Sequence, residues 1–304
     1  MPLFLGVDGG QSGTVAMIGD ETGRVVGVGH GPACRYEGAI EEAVNAAGAF
    51  VGRARDPFEA ACFGLSGGAA GKEAAVRELV KARHYVITHD AAIALTGALG
   101  GEPGVIVIAG TGSMAFGRDG AGRSARAGGW GYAFGDEGGA FDLVRQALRA
   151  ALRQEEGWGP ATVLRELLLG ASEARDANDL MHRFYTDEWP RERIASLAPV
   201  VDQAAGGGDV VAQEILRAAG QSLAALAGIV RGQLFGRQDA MTVSYSGGVF
   251  SSPLVLERFR MLVELEDGNR VEAPVHCPAA GALIEAYRAA GVACLPVTVP
   301  PEEK

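Results

Sequence analysis

Three glycine-rich turns carry the residues of this chain that could do chemistry. They are Asp8-Gly-Gly-Gln-Ser-Gly-Thr14, Ala109-Gly-Thr-Gly-Ser113 and Ser246-Gly-Gly-Val249, and each follows an apolar run of strand length. Glycine lets a backbone turn through positive φ and come close to a ligand, so that main-chain N–H groups can converge on an anion. Three such turns, the first with a carboxylate and all with hydroxyls, predict a nucleotide held between two halves of the protein.

The first turn is predicted to be the tip of a β-hairpin that contacts phosphate, because a second apolar run, 15–18, follows it at once. A P-loop or a dinucleotide-binding loop would open a helix instead, and this turn has neither glycine spacing. Its carboxylate would hold Mg²⁺, through water. An ordinary Asp-Gly hairpin turn is the alternative interpretation. The residues assigned here to metal and phosphate are Asp8, Gly9, Gly10, Gln11 and Ser12.

The second and third turns extend the same interpretation. The second joins two strands, and its hydroxyls between glycines suit phosphate oxygens or a sugar hydroxyl; a plain tight turn is the alternative. The third follows a strand and precedes a helix, so it could pack against adenine or ribose, or merely allow a helix to pack on a strand. The residues assigned to ligands here are Gly110, Thr111, Gly112, Ser113, Gly247 and Gly248.

Length and charge restrict the classes of protein to be considered. A chain of 304 residues is long enough for two domains. A net charge of −10 argues against a nucleic-acid partner, which normally leaves a basic footprint. The four cysteines are far apart, without the spacing of zinc or redox sites, and no uncharged run reaches the roughly 20 residues that span a bilayer. The sequence therefore predicts a cytoplasmic protein with reduced cysteines and no membrane partner.

Strand-like and helix-like periodicities alternate along the chain. Short apolar runs predict half-buried and fully buried strands, and apolar residues at helical spacing lie between them. The predicted strands are 3–7, 15–18, 25–28, 60–65, 85–88, 105–108, 114–116, 241–245 and 271–275, with a further one near 123–128. The predicted helices are 40–53, 72–81, 140–154, 161–169, 194–205, 210–236, 253–264 and 278–290.

The order of these elements restarts near residue 105. Both parts open with a strand that runs into a glycine and hydroxyl turn and then into a second strand, before helices and further strands follow. This order indicates a weak internal duplication that has diverged beyond a recognisable sequence repeat. Two similar α/β halves with ligand groups on turns of both imply a cleft between two domains.

Asp90 is the carboxylate that the pattern places best for acid–base chemistry. It comes at the end of the apolar strand 85–88 and begins a helix of small residues, so its side chain could lie at the mouth of such a cleft. A helix N-cap, where Asp is common, is the alternative, and both roles could hold together.

Taken together, the motifs resemble those of the BadF/BadG/BcrA/BcrD group within the actin, Hsp70 and sugar-kinase superfamily, and most of all those of N-acetylglucosamine kinases. Asp8-Gly-Gly-Gln-Ser12 is similar to the first phosphate motif of that superfamily, Ala109-Gly-Thr-Gly-Ser113 to the second, and Ser246-Gly-Gly-Val-Phe250 to its adenosine motif. The most specific segment, Gly128-Gly-Trp-Gly-Tyr-Ala-Phe-Gly-Asp-Glu-Gly138, resembles a signature of those kinases. The matches follow the family's order over essentially the whole chain.

This resemblance implies an α/β protein of two ribonuclease-H-like domains, the actin-like ATPase fold, with an interdomain cleft. The first domain would comprise residues 1–108 plus 285–304, and the second residues 109–284. The implied activity is transfer of phosphate from ATP, with Mg²⁺, to the 6-hydroxyl of a small-molecule amino sugar, with N-acetylglucosamine as the first candidate. Asp90 would be the catalytic base. Homodimers are common among relatives, although nothing in the helices of this sequence specifies an interface.

The same resemblance assigns five residues to the sugar. Asp136 would accept hydrogen bonds from the sugar hydroxyls, which a carboxylate binds with strong orientation; helix capping is its alternative role. Gly129 and Trp130 would form part of the same wall, unless Trp130 packs in the core. Ser66 would face the sugar, unless it is an ordinary turn serine, and Thr111 would lie between sugar and phosphate.

Two departures from the family pattern bear on the substrate. Relatives often carry Asn in the segment that here reads Gly31-Pro-Ala-Cys34-Arg35, so the change could alter the sugar's N-substituent or its hydroxyl pattern. Gly139 stands where Ser usually follows the signature, which alters local capping more than chemistry. The alternative functions are a kinase for glucosamine or another hexose, a sugar sensor without catalysis, and a partner-activating ATPase. The last would need cysteines placed to share an iron–sulfur cluster.

Overall fold

The chain divides into two compact units in a computed structural model. Unit 1 comprises Met1–Ile106 and Ala273–Lys304, and unit 2 comprises Val107–Glu272. The structure describes residues 1–10, 13–34, 38–49, 57–67, 71–186, 189–296 and 299. Three residues singled out from the sequence, Gln11, Ser12 and Arg35, lie outside the described residues.

Unit 1 contains a five-stranded sheet with helices packed on both of its faces. Its sheet joins three strands of a meander to two further strands that run parallel to the first. Its elements are β1 (Leu3–Gly9), β2 (Thr14–Asp20), β3 (Val25–Gly31), α1 (Ala39–Ala49), β4 (Phe58–Leu65), α2 (Glu73–Leu79), β5 (Ala82–Thr88), α3 (Asp90–Ala98) and, near the end of the chain, α11 (Pro278–Ala289).

The strands of unit 1 send alternate side chains to opposite faces, as the period of two requires. Leu5 of β1 packs in one cluster with Ile40 of α1. Phe4, its neighbour, packs on the other face against Tyr287 of α11, with ring centroids 4.6 Å apart. Gly6 lets α11 lie directly on β1, because a Cβ at this position would collide with the backbone of that helix. The core of unit 1 therefore includes a helix that is remote in sequence.

The C-terminal boundary of unit 1 differs from the sequence-based one. A division after residue 284 would cut α11 in two, whereas the whole of Ala273–Lys304 clusters with the N-terminal residues. The physical reason is the packing of α11, which lies along its length against β1 and α3. Its Tyr287 hydroxyl also donates a hydrogen bond of 2.9 Å to the Asp20 carbonyl at the end of β2.

Unit 2 contains a second five-stranded sheet and a larger set of helices. Its elements are β6 (Gly104–Ala109), β7 (Ser113–Arg118), β8 (Ser124–Gly128), α4 (Ala140–Glu155), α5 (Leu164–Ser172), α6 (Ala177–Arg183), α7 (Arg191–Ala195), α8 (Pro199–Gly206), α9 (Val210–Leu234), β9 (Met241–Ser246), a 3₁₀ turn (Gly248–Ser251), α10 (Pro253–Val263) and β10 (Asn269–Val271). Neither α9, which has 25 residues, nor any other described helix is apolar over a length sufficient to cross a bilayer.

The two sheets have the same order of strands. In unit 1 the order is β3-β2-β1-β4-β5, and in unit 2, followed in the same sense, it is β8-β7-β6-β9-β10. Each sheet therefore begins with three consecutive strands side by side and adds its fourth strand on the other side of its first. The internal duplication that the sequence predicted is confirmed in the topology, and the strand predicted near 123–128 is β8.

Matching turns occupy the second connection of each sheet. The turn after β2 reads Asp20-Glu-Thr-Gly-Arg24, and the turn after β7 reads Asp119-Gly-Ala-Gly-Arg123. In both, the aspartate Oδ1 accepts hydrogen bonds from the backbone N–H groups two and four residues later. Burial opposes ionisation of the Asp20 carboxyl, but hydrogen bonds from Thr22 and Arg24, together with the charge of Arg24, outweigh it and lower its pKa.

We expect Asp20→Asn to make the free energy of unfolding less dependent on pH. A carboxyl whose pKa is lowered by folding stabilises the protein above its unfolded pKa, near 4, and this contribution is lost as pH falls through the folded-state value. Asn keeps the acceptor oxygen but does not titrate. The difference in the free energy of unfolding between wild type and variant, on the order of 1 kcal/mol at neutral pH, should therefore shrink as pH falls from the unfolded value through the lower folded-state value. Urea unfolding measures it, and a constant difference would contradict this role.

Two sequence-based assignments in unit 2 are wrong, and one helix is missing from the prediction. The strand predicted at 271–275 is the short β10, which ends at Val271. The helix predicted at 194–205 is two helices, because Pro199 begins α8 and cannot donate a backbone hydrogen bond to the preceding turn. Helix α6 was not predicted, since its 7 residues are too few to show helical periodicity.

Candidate functional site

The candidate catalytic residues of unit 1 lie at the carboxyl ends of three neighbouring parallel strands. β1 pairs with β4 so that Gly9 lies opposite Leu65, and β4 pairs with β5 so that Gly64 lies opposite Thr88. In α/β sheets this is the edge at which ligands bind. The predicted site residues at or just after these strand ends are Asp8, Ser66 and Asp90.

The Asp90 carboxylate is held at the start of α3. The N-cap of this helix is His89, whose Nδ1 accepts a hydrogen bond of 3.2 Å from the Ala92 N–H, so the alternative role of Asp90 as N-cap is wrong. Asp90 Oδ1 accepts from the Ala91 N–H at 2.8 Å, and Oδ2 accepts from the Ser66 hydroxyl at 2.6 Å. A carboxylate oriented in this way keeps further lone pairs with which to accept the proton of a substrate hydroxyl.

Asp8 is the second carboxylate at this edge. Burial, and after it the negative charge of Asp90, raises the pKa of Asp8 to about 7. A cation bound here would replace the proton and stabilise both ionised carboxylates. Among the described residues, no group of three or more His, Cys, Asp and Glu side chains could hold a metal. Mg²⁺ at Asp8 would take further ligands from water and phosphate oxygens, which suits this ion.

The tip of the β1–β2 hairpin is closed by backbone hydrogen bonds. The Gly10 N–H donates to the Gly13 carbonyl at 2.9 Å, and the Cys34 N–H donates to the Gly10 carbonyl at 3.0 Å. A Cβ on Gly9 would lie 2.9 Å from Cys34 Sγ, so this cysteine packs directly against the predicted phosphate turn. Burial raises the pKa of the Cys34 thiol despite the opposing charge of Lys72, so the group at this position is a neutral thiol near pH 7.

Lys72 is a residue of this edge that the sequence reasoning missed. Its Nζ donates a hydrogen bond of 2.6 Å to the Ser66 carbonyl, and Ser66 in turn donates to Asp90. The sequence treated Lys72 only as the start of a helix; the available signal was the glycine-rich segment 67–71 that precedes it. An ammonium group fixed beside the predicted phosphate turn is a candidate for binding a phosphoryl oxygen.

In unit 2 the second glycine turn joins β6 to β7 and is held by α4. The first two backbone N–H groups of α4 donate to the carbonyls of Gly110 and Thr111 at 2.8 and 3.1 Å. Gly139, the N-cap of α4, lies so close to this turn that a Cβ on it would be 2.8 Å from the backbone of Gly112. Glycine in place of the family's serine therefore permits the close approach of helix and turn, in addition to removing a capping side chain.

The third glycine turn packs on the second. Gly247 has a φ of 102°, and a Cβ on it would collide with the Ala109 carbonyl and lie 2.8 Å from the Gly110 nitrogen, so only glycine fits there. Gly110 and Gly248 differ from Gly247, because a Cβ on either would meet no atom within 4 Å and neither has a positive φ. Their glycines are not required by packing, and the open space beside them is available to a ligand.

Asp136 is buried beside the second turn, with 4% of its surface exposed and a left-handed φ of 65°. Its Oδ1 accepts a long hydrogen bond of 3.4 Å from the Ser113 N–H, and its Oδ2 accepts one of 2.8 Å from Arg191 Nη2. At the start of α4 it is the Asp142 carboxylate, and not that of Asp136, that accepts a hydrogen bond from a backbone N–H, namely that of Gly138 at 3.1 Å. No local signal marks Arg191 in the sequence, because it lies 55 residues from Asp136.

The segment between β8 and α4 exposes three aromatic side chains. Trp130, Tyr132 and Phe134 are 67%, 51% and 88% exposed, so the alternative that Trp130 packs in the core is wrong. Positive φ angles at the interleaved glycines allow the chain to turn here. The Arg126 guanidinium lies 4.9 Å from a ring centroid of Trp130, and that of Arg191 lies 5.6 Å from that of Tyr132. Exposed aromatic faces of this kind can pack against the apolar face of a sugar ring.

Comparison with known proteins finds relatives over nearly the whole chain. A model of the BadF/BadG/BcrA/BcrD ATPase family matches residues 5–286. An N-acetylmuramic acid/N-acetylglucosamine kinase of Clostridium acetobutylicum is 30% identical over 279 residues, which cover 87% of this chain and 91% of the relative. An N-acetyl-D-glucosamine kinase of Dictyostelium discoideum is 29% identical over 272 residues, covering 81% and 85%.

A solved structure shows the same fold. The protein from Chromobacterium violaceum assigned as an N-acetylglucosamine kinase is 26% identical and superposes with a TM-score of 0.74, covering 93% of this chain and 98% of that one. Together with the two sheets of matching strand order, this similarity confirms the predicted α/β fold of actin-like ATPase type.

Proposed function

Because the chain belongs to the BadF/BadG/BcrA/BcrD ATPase family, we propose that it is an ATP-dependent amino-sugar kinase that phosphorylates the 6-hydroxyl of N-acetylglucosamine. Two curated relatives, each matched over more than four fifths of the chain, are kinases of this sugar. The observation that carries the proposal is the Asp90 carboxylate, oriented by the Ser66 hydroxyl at the ligand-binding edge of the unit 1 sheet.

Asp90 is the catalytic base in this proposal. The sugar oxygen attacks the γ-phosphorus of ATP, the bond from that phosphorus to the β–γ bridging oxygen breaks, and the hydroxyl proton passes to the Asp90 carboxylate. The products are ADP and the sugar 6-phosphate. Ser66 keeps the carboxylate in one orientation through its hydrogen bond to Oδ2. In this proposal it also contacts the sugar.

The three glycine turns bind the nucleotide. Backbone N–H groups around Gly10 and Gly112 donate to phosphate oxygens as charge develops on them. The open space beside Gly110 suits a phosphate, and that beside Gly248 suits adenine or ribose. Mg²⁺ held through Asp8, when bound, would neutralise phosphate charge. The other residues assigned to the nucleotide keep the roles that the sequence predicts for them. These residues are Gly9, Gln11, Ser12, Thr111, Ser113 and Gly247.

Asp136, Thr111, Gly129 and Trp130 bind the sugar. The exposed Trp130 ring offers an apolar face to the pyranose. Asp136 Oδ1 retains the capacity to accept a sugar hydroxyl, because its bond to the Ser113 N–H is 3.4 Å long and therefore weak. This combination of one aromatic face and one carboxylate is suited to positioning a polar ring.

N-acetylmuramic acid is the second candidate sugar. The relative from Clostridium acetobutylicum is a kinase of both N-acetylated sugars, and the larger of them carries a carboxylate. Glucosamine and other hexoses are alternatives, because Cys34 stands where relatives often have Asn.

A partner-activating ATPase is the alternative from a different class. Such proteins hold an iron–sulfur cluster through cysteines placed at a shared interface. Cys62 is fully buried within the unit 1 sheet, where it cannot reach a cluster shared with another chain. This placement favours the kinase.

Sugar-dependent release of ADP tests the proposal. With MgATP present, we expect addition of N-acetylglucosamine to raise ADP formation by at least about tenfold, because an empty acceptor site leaves only slow transfer to water. Coupled-enzyme rates on N-acetylglucosamine, N-acetylmuramic acid, glucosamine, glucose and N-acetylmannosamine measure this, and ³¹P NMR identifies the 6-phosphate. ADP release at the same rate without any sugar would contradict the kinase and favour the activator.

The cytoplasm is the setting that suits this reaction, because ATP is supplied there. The partners in the proposal are a small-molecule sugar and ATP, without nucleic acid or membrane. A homodimer, which the resemblance allows, would appear as twice the mass of the chain in light scattering.

A further inference from the structure

Arg191 is a residue of unit 2 that the proposed chemistry leaves without a role. It begins α7, and its Nη2 donates a hydrogen bond of 2.8 Å to Asp136 Oδ2. A Cβ on Gly112 would lie 2.6 Å from the same Nη2, so the guanidinium covers the middle of the second glycine turn. A cation is thus fixed where that turn meets the carboxylate proposed to bind the sugar.

The Nε–H of Arg191 has no hydrogen-bond partner among the described residues. This atom is buried, although the side chain as a whole is 30% exposed. Buried polar groups in proteins are nearly always paired, and an unpaired one costs free energy. The Tyr132 ring, whose centroid lies 5.6 Å from the guanidinium carbon, covers part of the group without accepting from Nε. The free donor therefore indicates that an acceptor atom of a ligand completes this site.

We propose that Arg191 donates from Nε to an acceptor oxygen on a ring substituent of the sugar, and so determines which sugars are accepted. The oxygen is that of an acylamino carbonyl or of a carboxylate. The inference rests on the proposed function, because Asp136, the partner of Arg191, is assigned there to the sugar hydroxyls. The ammonium group of glucosamine cannot accept a hydrogen bond, and the positive guanidinium repels it.

A role confined to holding Asp136 makes a different prediction. One hydrogen bond joins the two side chains, and a lysine ammonium could supply that bond and the charge. Only arginine adds an Nε–H in a fixed direction from the same group. A lysine at this position therefore separates a contact with the sugar from support of Asp136.

Arg191→Lys tests the inference, with Arg193→Lys as the matched control on the same short helix. Arg193 packs over the Trp189 ring, 4.2 Å from its centroid. Initial rates provide KM values for ATP, N-acetylglucosamine, N-acetylmuramic acid and glucosamine. In Arg191→Lys we expect the KM of an N-acetylated sugar to rise about tenfold or more, with kcat and the KM of ATP within about twofold of wild type. Selectivity against glucosamine should fall, and the control should behave as wild type.

The results of these measurements distinguish the amide carbonyl from the carboxylate as the acceptor oxygen. They also distinguish failure of this inference from failure of the proposed function. Equal losses on both N-acetylated sugars would assign the amide carbonyl, whereas a greater loss on N-acetylmuramic acid would assign the carboxylate. Unchanged KM values for both sugars, or an equal rise in the KM of ATP, would overturn the inference. A wild-type protein that phosphorylates none of the sugars would overturn the proposed function instead. Calorimetry then measures the affinity of wild type and of Arg191→Lys for the sugar without turnover. Weaker binding by the variant supports the inference. Equal affinities, or no sugar binding by either protein, would overturn it.

Discussion

Asp90→Asn is expected to lower kcat by about 10²–10⁴-fold while leaving the affinity for ADP within about twofold. Asn has the size of Asp, and its carbonyl oxygen can still accept from Ser66 or Ala91, as the carboxylate does at 2.6 and 2.8 Å. Its amide cannot take up the proton of the attacking hydroxyl. The edge of the unit 1 sheet therefore keeps its geometry and loses only the base. Single-turnover phosphorylation and ADP titration measure the two quantities.

Ser66→Ala is the matched variant for Asp90→Asn. It removes the hydroxyl that orients Asp90 Oδ2 but leaves the carboxylate in place, so we expect a smaller loss of kcat, about tenfold. Turnover of Asp90→Asn at the wild-type rate would refute the assignment of the base. A loss of ADP affinity as large as the loss of kcat would place Asp90 at the nucleotide instead.

Gly247→Ala is expected to destabilise unit 2 by about 2–4 kcal/mol and to weaken ATP binding by at least about tenfold. The added methyl would collide with the Ala109 carbonyl, and the φ of 102° is a backbone angle that alanine rarely adopts. The second or third glycine turn must move to avoid this collision, and both turns are proposed to bind the nucleotide. Denaturant unfolding and ATP titration measure the two effects.

Gly248→Ala is the matched control for stability. A Cβ there would meet no atom within 4 Å, so the free energy of unfolding should stay within about 0.5 kcal/mol of wild type. If adenosine packs on this surface, the same methyl should still raise the KM of ATP. An unchanged KM would contradict the placement of adenosine at Gly248. A fully stable Gly247→Ala would contradict the packing of the third turn on the second.

Much of the fold could be predicted because its signals are local. The five strands of unit 1 and three of the five in unit 2 coincide with apolar runs bounded by glycine or polar turns, which is the pattern of a buried strand. Repetition of that order predicted the duplication that the two sheets display. The errors lie where the local signal is weak. Strand β10 has 3 residues, and its short apolar stretch does not define where pairing ends.

The candidate site was predictable to a similar extent. The residues 8–10, 66 and 90 were placed correctly at strand ends, since a strand that stops at a polar residue presents that residue at the sheet edge. The N-cap of α3 was not predictable in this way: both His89 and Asp90 can cap, and the structure selects His89. The position of Lys72 at this edge was missed because its partner is a backbone carbonyl, which residues of any type can supply.

The sequence by itself determined the strand–turn–strand units, their repetition and the carboxylates at their ends, because each depends on neighbouring residues and on the backbone freedom of glycine. Tertiary structure alone decided three pairings: Arg191 with Asp136, Gly247 with Ala109, and α11 with β1. Each joins segments separated by tens or hundreds of residues. Such contacts depend on how whole elements pack, and no local periodicity records which distant side chain will fill a given space.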